Sequence, residues 1–323
     1  MESVRNRSLH IFGALAIGLT LAGCTPSATT PAATAPADPT ESPEPTNAPD
    51  AASGPSAEQL AQAPTPQPVT LTEGLEHPWG LTWLPDGTML VTERPGRLRI
   101  IEDGVLNPTP VSGLPEVFSR GQGGLMDVSV HPNFAENQWV YFTYADGTGS
   151  ANRTQVARAR FDGSALSDWQ VIFEVNSTKE GTQHFGSRLD WLPDNTLLVS
   201  VGDGGNPPVE LEGELIRNQA QNLSSHLGSL VRLNDDGSAP ADNPFVDTPN
   251  ADPTIWSYGH RNIQGVAIDD ATGQVWATEH GSRGGDELNQ IEAGENYGWP
   301  LVTHSREYSG GEISSERSRP GMV

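Results

Sequence analysis

The chain has 323 residues and a single cysteine, Cys24. With no second thiol it forms no internal disulfide, so the fold stands on packing and hydrogen bonds. Positive charge is also scarce: 18 Lys and Arg face 41 Asp and Glu, a formal net charge of −23. Phosphate backbones are held by clustered cations, so nucleic acid is excluded as a partner. Long apolar runs are missing as well. Ile11 to Leu21 is too short to span a bilayer comfortably, and no later stretch is long enough. Strong helical periodicity is rare. No GxGxxG follows a strand to open a helix, and GxSxG, HExxH and P-loop patterns are absent. A nicotinamide Rossmann site is thereby disfavoured, and so are the hydrolase elbow, the zincin helix and the nucleotide loop.

Arg5 and Arg7 precede the short apolar run, which ends in Leu21-Ala22-Gly23-Cys24. A positive start and a short apolar core read as a secretion signal over residues 1–24. Its ending resembles a bacterial lipoprotein signal, in which Cys24 becomes the lipid-bearing first residue. An ordinary cleaved signal with an incidental cysteine is the alternative. Residues 25–68 collapse to Pro, Ala, Thr, Ser and Glu. Such a segment has little to bury and is expected to be a disordered tether. The expectation is an exported protein, lipid-anchored to the outer face of the bacterial cell membrane or held in the periplasm or outer membrane. Residues 69–323 form its folded part.

That part repeats one unit: a Gly lead-in, an alternating strand, a Pro or Asp turn, and a second apolar strand. It occurs at 80–93, 124–145, 187–203 and 265–280, with Trp83, Val130, Trp191 and Ile268 in equivalent places before the turn. Further strands are expected over 96–101, 155–161 and 228–234. Loose repeats of antiparallel strands point to an all-β fold, a β-propeller of about four blades. A β-sandwich is the competing fold.

The densest stretch is Gly259 to Trp299. It holds Arg261, Asn262, two expected strands, a turn with Gly281, Gly284 and Gly285, and the acidic pair Asp286/Glu287. Those glycines allow positive φ and close approach of a ligand, and carboxylates are hard ligands of the kind Ca²⁺ prefers. A solvated loop on a hairpin is the plainer reading. Other polar residues interrupt the units at strand ends: Gln122 in GQGG, His184 in QHFG and Asp203 in VGDGG. A propeller presents its ligand face there. His184 could act as a general base with a carboxylate to orient it, and Arg261 could hold a developing oxyanion. Taken singly, His184 could equally be structural and Asp203 an Asx-turn residue. Asp235-Asp236-Gly237 and Asp269-Asp270 read as hairpin turns.

In order, the motifs are HPWGLTWLPDGTMLVTERPGRL, GQGGLMDVSVHPNF, HFGSRLDWLPD, GDGG, SYGHRNIQG, EHGSRGGDELNQI and NYGWP. Together they resemble the soluble quinoprotein sugar dehydrogenases, the PQQ-dependent aldose sugar and glucose/sorbosone dehydrogenase family. The resemblance implies a six-bladed propeller that binds pyrroloquinoline quinone (PQQ) and Ca²⁺ and oxidises aldose sugars at C1 to lactones. Hydride would pass to the quinone C5, and the electrons onward to an external acceptor. It implies that His184 takes the anomeric proton, that Asp203 supports His184 or touches the sugar, and that Gln122 binds substrate. Arg261 would polarise the quinone, with Asn262 and Tyr308 in the cofactor site. The Gly281 and Ser282 carbonyls would hold the cofactor's Ca²⁺, Ser282 standing where the family often has Pro. Glu287 and the Tyr297 carbonyl would hold a second, structural Ca²⁺. Two further blades are implied beyond PGM, so the chain is expected to be C-terminally incomplete. A non-catalytic propeller binding carbohydrate or protein is the alternative, and a metal-dependent lactonase a third reading.

Overall fold

The computed structural model describes residues 67–323. The expected signal, Cys24 and nearly all of the expected tether lie outside the described residues.

Four antiparallel sheets follow one another along the chain. The first comprises β1 (Pro78–Trp83), β2 (Met89–Glu93), β3 (Arg97–Glu102) and β4 (Val105–Leu106), ordered as in the sequence. The second comprises β5 (Leu125–Val130), β6 (Trp139–Thr148), β7 (Ala151–Phe161) and β8 (Leu166–Glu174). The third begins with β9 (Leu189–Trp191) and β10 (Leu197–Val201). A small hairpin, β11 (Glu210–Leu211) and β12 (Glu214–Leu215), and a 3-10 turn over Ile216–Gln221 then intervene. The sheet is completed by β13 (Ser229–Leu233) and β14 (Ile255–Tyr258). The fourth holds β15 (Ile263–Ile268), β16 (Val275–Glu279) and β17 (Glu287–Ile291). This is a four-blade propeller arrangement, with the first strand of each sheet next to the first strand of the following one.

Each repeated unit is the inner hairpin of a blade. Trp83, Val130, Trp191 and Ile268 are all the last residue of the innermost strand. The blades adhere through their faces because successive strand residues point to opposite sides. On β10, Leu197, Val199 and Val201 enter the core shared with the second blade, while Leu198 enters the one shared with the fourth. A third apolar cluster joins Leu90, Leu98 and Ile100 to Leu125, Val140 and Phe142 between the first two blades. Truncating a side chain such as Leu198, which has no exposed surface, to Ala would cost about 2–5 kcal/mol. Leu81 and Trp83 on the first blade and Leu288 on the fourth are exposed.

The same hairpin geometry positions the site. In an antiparallel pair the start of the inner strand and the end of the next lie together. Gln122, His184 and Arg261-Asn262 lead into β5, β9 and β15, while Asp203 and Gly281-Ser282 follow β10 and β16. All therefore reach one end of the sheets. Three inner strands have an irregular register at that end, between Pro78/Leu81, Leu125/Val128 and Ile263/Gly265. Such irregularities bend a strand and re-aim its leading loop. The stretch 259–299 contains three strands where two were expected. β17 starts directly after the Gly-rich turn, at Glu287 itself, so its alternation is masked by the turn composition.

Candidate active site

His184 is buried and carries a φ of +50°, unusual for a side chain of this size. Two contacts hold it there. Gln122 Oε1 accepts the His184 backbone N–H at 2.7 Å. Gly202 packs so closely that a Cβ on it would stand 2.2 Å from the His184 carbonyl oxygen. Asp203, with no exposed surface, lies 2.6 Å from His184 Nδ1 through Oδ1. That oxygen also accepts from Gly205 N–H at 3.0 Å, and Oδ2 accepts from the Trp299 indole at 2.8 Å. Asp203 thus stands behind the imidazole and presents no surface of its own to a ligand.

Arg261 is buried, its guanidinium 5.5 Å from the centre of the Trp299 ring. Nη1 donates to the His280 carbonyl at 2.8 Å and Nη2 to Asn206 Oδ1 at 2.9 Å, while Nε has no hydrogen-bond partner. A guanidinium only donates, so Asn206 must turn its oxygen to Arg261 and its NH₂ to His184 Nε2, 3.3 Å away. Nε2 is then an acceptor, and Nδ1 carries the proton that faces Asp203. A single amide side chain spans the gap between the imidazole and the guanidinium.

Gln122, His184, Arg261, Asn262, Ser282 and Tyr308 line one cavity of about 650 Å³. Asn262 fixes the floor: its Oδ1 accepts from Gly186 N–H at 3.1 Å and from Gln264 Nε2 at 3.2 Å. Tyr308 is largely exposed at the rim. A smaller cavity of about 230 Å³, bordered by Trp79, Arg94 and Phe185, shares Gln122, Asn262 and His280 with the first.

The acidic turn separates its two carboxylates. Asp286 stays exposed and accepts from Gly281 N–H at 2.8 Å. Glu287 turns inward, where burial and then the negative charge of Glu279 push its carboxyl above the usual range. Glu279 is itself buried and accepts from the backbone N–H of Arg261 at 2.6 Å, with His260 Nδ1 at 3.0 Å. Tyr297 stacks on His260, ring centres 4.6 Å apart. Gly284 and Gly285 take positive φ, whereas Gly281 is needed for close approach: a Cβ there would sit 2.2 Å from the Gly284 carbonyl oxygen. Among the described residues no group of three or more His, Cys, Asp or Glu side chains gathers to hold a metal. The donor set nevertheless fits Ca²⁺. Glu279 and Glu287 are like charges held together, the Ser282 hydroxyl is buried without a partner, and hard oxygen donors dominate. The larger cavity has mainly polar walls and a buried guanidinium, which suit an anionic ligand. Asp236 and Asp269 cap their own turns, accepting from Ser238 and Ala271 N–H, as their motifs implied.

The Glucose / Sorbosone dehydrogenase pattern matches residues 75–323. The chain belongs to that family. It is 39% identical over 247 residues to the aldose sugar dehydrogenase of Escherichia coli, covering 75% of this chain and 64% of that protein. It is 29% identical to quinoprotein glucose dehydrogenase B of Acinetobacter calcoaceticus, over 74% of this chain and 53% of that one. The chain thus spans less than two thirds of both these glucose/sorbosone dehydrogenase relatives. The PQQ-bound structure of aldose sugar dehydrogenase from Streptomyces coelicolor superposes with a TM-score of 0.63 at 30% identity, covering 76% of this chain and 68% of that one.

Three residues of the site escaped the sequence reading. Asn206 directly follows the GDGG turn and Trp299 lies in NYGWP, but amides and tryptophans carry no titratable signal. The third, Lys179, lies five residues before His184 in a polar loop and reads there as a surface cation.

Proposed function

We propose that this protein oxidises an aldose at C1 to the lactone, using PQQ and Ca²⁺, and passes the electrons to an external acceptor. The observation that carries the reading is an imidazole acceptor atom and a guanidinium facing one cavity across a single amide. PQQ, when bound, supplies a quinone that accepts the hydride leaving sugar C1. The protein's part is proton and charge control. His184 Nε2 takes the proton of the anomeric hydroxyl, and the new imidazolium is stabilised by Asp203 across Nδ1. Arg261 offers positive charge where a carbonyl oxygen gains electron density, which lowers the transition state more than the ground state. Asn262 and Tyr308 would hold the cofactor, and Gln122 the sugar. The carbonyls of Gly281 and Ser282 would hold its Ca²⁺, with Glu287 and the Tyr297 carbonyl holding a second ion. Export and lipid anchoring through Cys24 complete the proposal.

Dye reduction with aldoses after reconstitution with PQQ and Ca²⁺ tests it. Activity that depends on both and is lost in His184→Ala is the expected result. Absence of turnover in the reconstituted protein, or unimpaired turnover in His184→Ala, would overturn it. Membrane release of a Cys24→Ser variant tests the anchor.

A further inference from the structure

Lys179 is a cation in the wrong place for an ordinary lysine. It is 5% exposed, and its Nζ has no hydrogen-bond partner. An ammonium taken from water without donor partners costs several kcal/mol by rough reckoning, so a purely structural position would be filled better by an apolar chain. Its backbone is fixed to β7 by a two-way bridge with Asn152, at 2.9 and 3.0 Å. Its side chain then runs between the residues that directly follow the two members of the dyad. Nζ lies 3.9 Å from the centre of the Phe185 ring, next to His184. Its Cδ lies 3.2 Å from where a Cβ on Gly204, next to Asp203, would be.

The charge that acts on Lys179 is the carboxylate of Asp203. Among the other charges on the surrounding elements, Arg153 on β7 donates to the Val175 carbonyl and Arg217 on the 3-10 turn pairs with Glu307, while Arg261 reaches the Nε2 side of His184 through Asn206. Glu180 is exposed, and His184 meets the same carboxylate through its Oδ1. Burial lowers the lysine to about 8, with Asp203 pulling the other way.

We infer that Lys179 is a positioning residue for the base: its buried ammonium is the counter-charge of Asp203 and sets the pH range over which His184 is free to accept a proton. It acts through Asp203 and does not touch the sugar. A nearby positive charge opposes protonation of the dyad, so Lys179 keeps the imidazole receptive at lower pH, at a cost in stability. Strained or costly charges retained beside a site are a signature of function over stability.

This inference rests on the dyad of the proposed dehydrogenase, so its test is read without quinone or sugar. Lys179→Met, which keeps the shape and removes the charge, is compared with wild type by NMR titration of the His184 ring. The midpoint of imidazole protonation is expected to rise by about half a pH unit or more, and the acidic limb of kcat/KM in the reconstituted enzyme to move the same way. The thermal midpoint at pH 7 is expected to rise by a few degrees, on the order of 3 °C. An unmoved imidazole titration overturns the inference, whichever way the thermal midpoint goes. If the Met variant does not fold, Lys179→Gln gives the same reading. Failure of dye reduction in wild type would remove the dehydrogenase reading and leave the titration result standing.

Discussion

The Trp299 indole donates to Asp203 Oδ2 at 2.8 Å while His184 Nδ1 meets Oδ1 at 2.6 Å. The carboxylate is gripped from both sides, so the imidazole cannot turn without breaking a bond on a group that has no water to replace it. Trp299→Phe keeps a ring against Arg261 and deletes that one N–H. A hydrogen bond to a charged group contributes about 1.5–3 kcal/mol, so kcat should fall roughly 10- to 100-fold with the sugar KM within about twofold. Steady-state kinetics decide it. A raised KM at constant kcat would place Trp299 in binding instead.

Replacing His184 by Asn removes the proton acceptor and leaves a polar side chain of similar reach. Turnover should drop by about 10²–10⁴, while PQQ affinity, followed by absorbance titration, stays close to wild type. Loss of both together would mean that His184 builds the pocket and not the chemistry.

Asp127 on β5 joins the second blade to the third. It accepts from Leu189 N–H at 2.8 Å and from Arg188 Nη1 at 3.1 Å, and Arg188 covers the Trp79 ring at 4.4 Å. Burial pushes its carboxyl up to about 6, with Arg188 pulling it back. Between its ordinary value of 3.8 and about 6 the folded protein holds a proton that the unfolded chain has lost. Stability from this group therefore falls as pH rises through that window, by up to about 3 kcal/mol, and is flat above it. Urea unfolding from pH 4 to 7 should show this slope in wild type and not in Asp127→Asn. Identical slopes would remove Asp127 as the cause.

Glu287 is half-buried beside the charge of Glu279, a repulsion that a divalent cation would relieve. Adding Ca²⁺ should stabilise the fold by roughly 2.7 kcal/mol at a hundredfold excess over the dissociation constant, read as a concentration-dependent rise in the thermal midpoint. Glu287→Gln should be more stable than wild type in EDTA and gain less from Ca²⁺. Equal gains in the two proteins would place the ion elsewhere.

Much of the blade plan was legible because its causes are local. A Gly lead-in, alternation and a Pro or Asp turn specify a hairpin within about 15 residues, and all four inner hairpins fall where those signals are. The ends of β17 and the short β11–β12 pair were not legible, since two- to five-residue strands beside Gly-rich or acidic turns leave too little alternation to read. His184, Asp203, Arg261 and Asn262 were legible as polar interruptions at strand ends. Their partners were not: Asn206 was hidden in a turn, and Lys179 was indistinguishable from a solvated cation.

By itself, the sequence determined which residues arrive at the ligand end of each blade, because side-chain period and turn chemistry are properties of neighbouring residues. Only the tertiary structure decided which of them meet. Trp299 lies 96 residues from Asp203, and their contact depends on strand lengths, register irregularities and blade packing added together across two sheets. Nor does any local pattern announce a buried ammonium. Lys179 acquires its meaning when the dyad's neighbours, Phe185 and Gly204, close around it and exclude the water that would have made it ordinary.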